Sequence, residues 1–287
     1  MPSSSSPPAS APISGPSFYH SLLAGGLAGT SVDLLFFPID TLKTRLQSAQ
    51  GFLRSGGFRG VYKGVGSVVI GSAPGAAVFF STYDTMKRLS PLGEELKPVT
   101  HIVAASMGEI AACLIRVPTE VIKTRMQTST YGTLSTSSLS AARLVLKTEG
   151  TKGFYQGFGI TIMREIPFTS LQFPLYEFLK SKLATHLGRR SSKELHVHEA
   201  AVCGSVAGAF AAALTTPLDV LKTRVMLDLR TSSTRALPSL PTRFKTIYTT
   251  EGPRALFSGV VPRTLWISAG GAVFLGVYEW AIQLLTR

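Results

Sequence analysis

Six stretches of the chain carry almost no charge: Phe18 to Pro38, Gly64 to Tyr83, Val99 to Pro118, Ile160 to Tyr176, Ala200 to Leu218 and Thr264 to Tyr278. Most approach or reach the ~20 residues that a helix needs to cross a hydrocarbon layer. The pattern therefore predicts six membrane-spanning helices joined by polar connections. The stretches are rich in Gly and Ala where a lipid-filled span would carry Leu and Ile. Gly25 with Gly29, Gly71 with Gly75 and Gly204 with Gly208 stand four residues apart, on one helix face, where small side chains let backbones approach. Two of the polar connections have helical periodicity of their own, LSAARLVLKTEG at Leu139 to Gly150 and TRFKTIYTTEG at Thr242 to Gly252. Both predict short amphipathic helices lying on the membrane surface.

Composition sharpens this picture. Only 16% of the 287 residues are charged and mean hydropathy is +0.25, against roughly 25% charged residues in soluble domains. A disordered chain and an ordinary water-exposed surface are both excluded. Cys113 and Cys203 lie in apolar stretches and cannot build a disulfide scaffold. The net charge of +13 would suit a polyanion partner, but the basic residues sit mainly in the connections. Those after the first, third and fifth stretches, with Arg263 counted in the last, hold twice as many as the other side. That asymmetry puts both termini on one side of a membrane and predicts no nucleic-acid partner. Five scattered histidines and two cysteines supply no metal set, and no nucleophile or acid pair is grouped for catalysis. No enzyme, metal or cofactor is expected. Residues 1–16, MPSSSSPPASAPISGP, contain no base and read as a disordered tail rather than a targeting peptide.

The chain repeats itself three times. PIDTLKTRLQ at Pro38 to Gln47, PTEVIKTRMQ at Pro118 to Gln127 and PLDVLKTRVM at Pro217 to Met226 each follow an apolar stretch. A second signature then ends at Gly64 (FRGVYKG), Gly157 (EGTKGFYQG) and Gly259 (EGPRALFSG), and a further apolar stretch closes with YDTMK, YEFLK or YEWAI. Repeats spanning 17–92, 93–190 and 191–287 follow. In each, the motif proline removes a backbone donor and should kink its helix. The acid and base after it are three residues apart, nearly on one helix face.

These three copies of Pro-x-[Asp/Glu]-x-x-Lys with a later aromatic-x-Gly resemble the mitochondrial carrier family, over about residues 18 to 284. DLLFFPIDTLKTRLQ, GGFRGVYKG, GEIAACLIRVPTEV, MREIPF and PRTLWISAGGAVFLG are similar to its S-adenosylmethionine-carrying branch. The resemblance implies an all-α, six-helix pseudo-threefold bundle in the mitochondrial inner membrane, monomeric, with short matrix-side helices and both termini toward the intermembrane space. It implies a matrix gate of ion pairs, Asp40 with Lys123, Glu120 with Lys222 and Asp219 with Lys43, braced by Gln47 and Gln127, with Met226 in the third brace position. The competing reading is three surface pairs within single helices, against which stands the cost of lone charges in hydrocarbon. A cytoplasmic gate would join Asp84 with Lys180 and Glu279 with Lys87, its third member weakened because Glu177 would face Ile282. Gly64, Gly157 and Gly259 begin helices whose free N–H groups attract phosphate, and the resemblance makes them sites for cardiolipin.

The inward stripes suggest what the bundle carries. Asp33 stands seven residues before Asp40 and faces the same way; Glu109, Cys113, Arg116 and Glu120 form one stripe, as do Glu165, Thr169, Gln172 and Tyr176. Arg164 and Glu165 lie at the depth where the family contacts its substrate. S-adenosylmethionine fits this set: Arg164 for its carboxylate, Glu165 for its ammonium, Asp33 or Glu109 for its sulfonium, and Phe79 or Trp266 for its adenine. S-adenosylhomocysteine, which lacks the sulfonium charge, fits as an exchange substrate. Arg116 pairing with Glu109 or Glu120, and Arg164 with Glu165, is the alternative that leaves those residues structural. A carrier of another amino acid or adenine compound is the competing function.

Overall fold

A computed structural model describes residues 18–89, 97–132, 137–189, 191, 194–229 and 238–285; the tail predicted at 1–16 lies outside them. The described residues form α1 (Phe18–Gln47), α2 (Val65–Leu89), α3 (Lys97–Gln127), α4 (Ser138–Glu149), α5 (Thr151–Phe154), α6 (Phe158–His186), α7 (Val197–Leu227), α8 (Leu240–Thr250), α9 (Pro253–Leu256) and α10 (Val260–Leu285). Among them there is no strand. Helices α1, α2, α3, α6, α7 and α10 have 25 to 31 residues, which at ~1.5 Å per residue exceeds the ~30 Å of a hydrocarbon core.

The extra length comes from the repeated motif. α1, α3 and α7 continue without a break in helix through Pro38, Pro118 and Pro217, so the bases after each proline are helical. This corrects their assignment to the connections. The correction is largest for Arg263: α10 starts at Val260, four residues before the predicted stretch, and Arg263 is a buried residue of its first turns. Threonine hydroxyls around the prolines bond back onto the preceding turn, Thr41 to the Phe37 carbonyl (3.0 Å) and Thr215 and Thr216 to those of Ala211 and Ala212 (2.7 Å), a pattern that bends helices.

The long helices close into a ring in the order α1, α2, α3, α6, α7, α10 and back to α1, and α1, α3 and α7 also touch one another. α2 and α7 contain stretches of mean hydropathy 1.5, long and apolar enough to cross a membrane, while α1, α3, α6 and the C-terminal part of α7 bring charges into the bundle. Leu35, Ile70, Ile166, Val202 and Leu265 point outward and are exposed. The predicted small-residue contacts hold in part: a Cβ on Gly71 would fall 2.5 Å from Thr119 Oγ1, and one on Gly208 2.9 Å from Ile267, whereas Gly29 and Gly75 face open space.

The predicted surface helices form as α4, capped by a Ser137–Ser140 box, and α8. The first repeat has no counterpart. Its connection from Gly51 to Gly64 is a run of turns in which five glycines take positive φ.

Candidate functional site

Where α1, α3 and α7 meet, three ion pairs form a ring. Lys123 Nζ lies 2.9 Å from Asp40, Lys222 Nζ 2.7 Å from Glu120 and Lys43 Nζ 2.7 Å from Asp219. Each motif gives its acid to one neighbour and its base to the other, so a three-residue spacing on a helix becomes a circuit across three helices. The Gln47 amide donates to Asp219 Oδ2 at 2.9 Å and accepts from Thr223 Oγ1 at 2.6 Å. Gln127 donates to Asp40 Oδ2 at 3.0 Å. Met226, buried among Cys113, Val117 and Val121, brings no such donor to the Glu120–Lys222 pair.

A second threefold circuit lies beneath. The motif's last arginine donates through Nε to the backbone carbonyl at the brace position of the next repeat: Arg45 to Gln127 at 2.7 Å, Arg125 to Met226 at 3.0 Å and Arg224 to Gln47 at 3.2 Å. Their outer nitrogens are satisfied differently. Arg125 and Glu149 form a fully buried bidentate pair, joined by Tyr131 and Gln156. Arg224 pairs with the exposed Glu251, and this hydrogen bond holds the Glu251 carboxyl below its ordinary range. In repeat one Gly56 occupies the place of those glutamates, and Arg45, fully buried, donates to the carbonyls of Gly57 (2.7 Å), Arg59 (2.8 Å) and Gly60 (3.3 Å). Glycines let the turns of the first connection fold around the guanidinium.

Gly64, Gly157 and Gly259 show the same threefold relation. All have positive φ, and a Cβ on each would come within 3.2 Å of the odd helix of another repeat: 3.0 Å from Met126, 3.0 Å from Met226 and 3.2 Å from the Lys43 carbonyl. Only glycine combines that backbone conformation with that approach.

Above the ring is a cavity of about 790 Å³, within the size of small-molecule sites. It is lined by the predicted Asp33, Phe79, Glu109, Arg116, Arg164, Glu165 and Trp266 together with the ring residues. Its charges are mostly matched. Arg116 and Glu109, two turns apart on α3, pair through both carboxylate oxygens at 3.0 and 3.3 Å. Arg164 and Glu165 pair with each other, and Arg164 Nε, buried without a hydrogen-bond acceptor, points toward Asp219 at 3.9 Å. Asp33 differs: among the described residues it forms no ion pair or side-chain hydrogen bond.

Among the described residues no ion pair between helices latches the opposite end of the cavity. The expected Asp84–Lys180 pair is not formed. Lys180 Nζ instead lies 3.1 Å from Glu177, a turn earlier on its own helix, and Asp84 and Lys87 are exposed. The side chains of Glu279 and Ile282 lie outside those described.

The threefold recurrence is also found by comparison of sequences: the chain fits the family model for mitochondrial carrier protein at residues 14–92, 94–187 and 193–287. The chain belongs to the mitochondrial carrier family. The carrier is therefore a multi-pass protein of the mitochondrial inner membrane, a transporter and not an enzyme. It is 53% identical over 274 residues, 91% of this chain and 96% of the other, to a putative mitochondrial carrier protein, PET8, of Eremothecium gossypii. It is 49% identical over 272 residues (94% and 96%) to the mitochondrial S-adenosylmethionine carrier protein of Mus musculus. With that of Danio rerio it shares 50% identity over 267 residues (91% and 96%).

Sequence reasoning missed several of the carrier's cavity residues. Ser72, Phe168 and Phe274 line the wall; Phe168 stands between Glu165 and Gln172 at spacings of three and four, a signal the α6 stripe already contained. Arg263 was hidden by its place at the edge of an apolar stretch. It is 1% exposed, bonds Thr215 through the carbonyl (3.1 Å) and hydroxyl (2.9 Å), and lies 3.6 Å from Asp219.

Proposed function

We propose that this carrier imports S-adenosylmethionine into the matrix in exchange for S-adenosylhomocysteine, by alternating access. The observation that carries the reading is Asp33: a carboxylate that has no ion pair or side-chain hydrogen bond among the described residues, in a cavity whose other acids are paired, calls for a cationic guest. S-adenosylmethionine brings a net charge of about +1, a zwitterionic head and an aromatic ring. The curated relatives named as its carriers support the choice.

In this reading Asp33 faces the sulfonium, with Glu109 as the second acid once Arg116 turns away. The substrate carboxylate takes the unused Nε donor of Arg164, and Glu165 takes the ammonium. Phe79, its ring stacked 6.3 Å from Tyr83 and its backbone against Gly108, and Trp266 offer aromatic faces to adenine.

The ring of Asp40, Lys43, Glu120, Lys123, Asp219 and Lys222, with Gln47 and Gln127, acts as the matrix gate, here closed. Asp84, Lys87, Glu177, Lys180 and Glu279 form the cytoplasmic gate, which the unlatched end supports as open. A substrate speeds the exchange of gates only by binding the occluded intermediate better than either open state. Cardiolipin phosphates bind the helix starts after Gly64, Gly157 and Gly259, and the working unit is a monomer.

Uptake of labelled S-adenosylmethionine into proteoliposomes tests this. Uptake that requires internal S-adenosylhomocysteine or S-adenosylmethionine is expected, and competition by free methionine or ATP is not. Uptake of those competitors in place of S-adenosylmethionine would overturn it.

A further inference from the structure

The three ring acids are not equally provided with cations. Asp219 Oδ2 has Lys43 Nζ at 2.7 Å and Arg263 Nη1 at 3.6 Å, on opposite sides of the repeat boundary. Lys43 belongs to α1 in the first repeat. Arg263 belongs to α10 in the same repeat as Asp219, and its guanidinium is fastened to α7 by two hydrogen bonds to Thr215, one turn before Asp219. A guanidinium can hold two such bonds and still present charge to a carboxylate. The position is peculiar to the third repeat. Four residues after the signature glycine, the first two repeats carry Val68 and Thr161, and the Thr161 hydroxyl donates to the Gly157 carbonyl of its own helix at 2.9 Å.

We infer that Arg263 is a resident counter-ion for Asp219, a positioning residue that stays with it when Lys43 departs. The inference rests on the reading of the ring as a gate. Separating α1 from α7 breaks Lys43–Asp219 but leaves the bonds to Thr215 intact, so Arg263 travels with α7. Asp219 then keeps a cation throughout; Glu120 has Arg116 one turn earlier on its own helix, but that guanidinium is paired with Glu109, and among the described residues neither Asp40 nor Glu120 has an ion pair with a cation of its own repeat. An acid left unpaired in a poorly hydrated interior is costly. The α1–α7 contact is accordingly the one where the gate opens first.

The test uses the full chain with Cys113→Ala, Cys203→Ala and a single reporter, Thr44→Cys, which sits beside the ring and is 5% exposed. Arg263→Gln, which keeps donors for Thr215 but removes the charge, is compared in the native ring and in a neutral one, Lys43→Gln with Asp219→Asn. S-adenosylmethionine uptake and substrate-driven thiol labelling of position 44 are both measured. In the native ring Arg263→Gln is expected to lower both at least about tenfold; in the neutral ring, with no carboxylate to compensate, it lowers neither. Equal losses in the two backgrounds would make Arg263 a support for Thr215 alone and overturn the inference, as would no loss in the native ring. If the neutral ring leaves position 44 labelled as slowly as the native ring does, the gate reading itself fails.

Discussion

Lys43 and Asp219 meet at 2.7 Å although they belong to the first and third repeats, and their contact closes the circuit that Asp40–Lys123 and Glu120–Lys222 begin. A chain that returns to its own start in this way has no free edge at its narrow end. Gln127 braces the first pair, Gln47 and Arg263 support Lys43–Asp219, and Met226 leaves Glu120–Lys222 without a brace; that inequality is where the carrier can be tested.

Met226→Gln should supply the missing brace to Glu120–Lys222. One added buried hydrogen bond contributes about 0.5–1.5 kcal/mol, and the near-equal volumes of Met and Gln limit the packing cost. The variant is expected to melt about 1–4 °C higher in detergent and to turn over more slowly, because a firmer matrix gate opens less often. Thermal unfolding and initial uptake rates check both; a stabilised variant with unchanged turnover would separate the brace from the gate.

Glu149 and Glu251 occupy equivalent places but different surroundings. The Arg125–Glu149 pair is fully buried, so Glu149→Gln strands a cation and should cost about 3 kcal/mol or more. Glu251→Gln, at an exposed site, should cost no more than about 1 kcal/mol. Because Arg224 lowers the Glu251 carboxyl below its unfolded value, that contribution is complete above the ordinary carboxylate range and drains away as pH falls through the folded value. Unfolding midpoints for both variants at neutral and acid pH give the comparison; equal costs at neutral pH would contradict it.

Gly64→Ala should destabilise the closed end by about 1–3 kcal/mol, since it combines strained φ with a Cβ 3.0 Å from Met126. Gly51→Ala carries only the strain, with nothing within 4 Å, and should cost less. The ratio of their melting shifts separates close packing from backbone conformation. If lipid phosphate occupies the helix start at Gly64, added cardiolipin should stabilise Gly51→Ala as it does the native chain and Gly64→Ala by less.

Asp33→Asn removes the carboxylate that has no ion pair among the described residues. Uptake of S-adenosylmethionine should fall about tenfold or more, with a smaller loss for S-adenosylhomocysteine, whose thioether carries no charge. Parallel uptake of the two labelled compounds decides it; equal losses would assign Asp33 to the architecture of α1 instead.

Much of this molecule is legible in one dimension because it is periodic. Apolar stretches of membrane-spanning length, a proline-acid-base motif recurring three times, and inward stripes at helical spacing identify the helices, the repeats and most cavity residues, since burial and helix geometry act on neighbours a few positions apart. Partnership across the bundle is another matter. That Arg263 stands behind Asp219 depends on the distance between two helices, and that Glu109 takes Arg116, that Lys180 bonds within its own helix and that Asp33 has no ion pair among the described residues depend on which cations of other helices come within reach. The same side-chain types at the same spacing allow several pairings, and only packing in three dimensions selects among them.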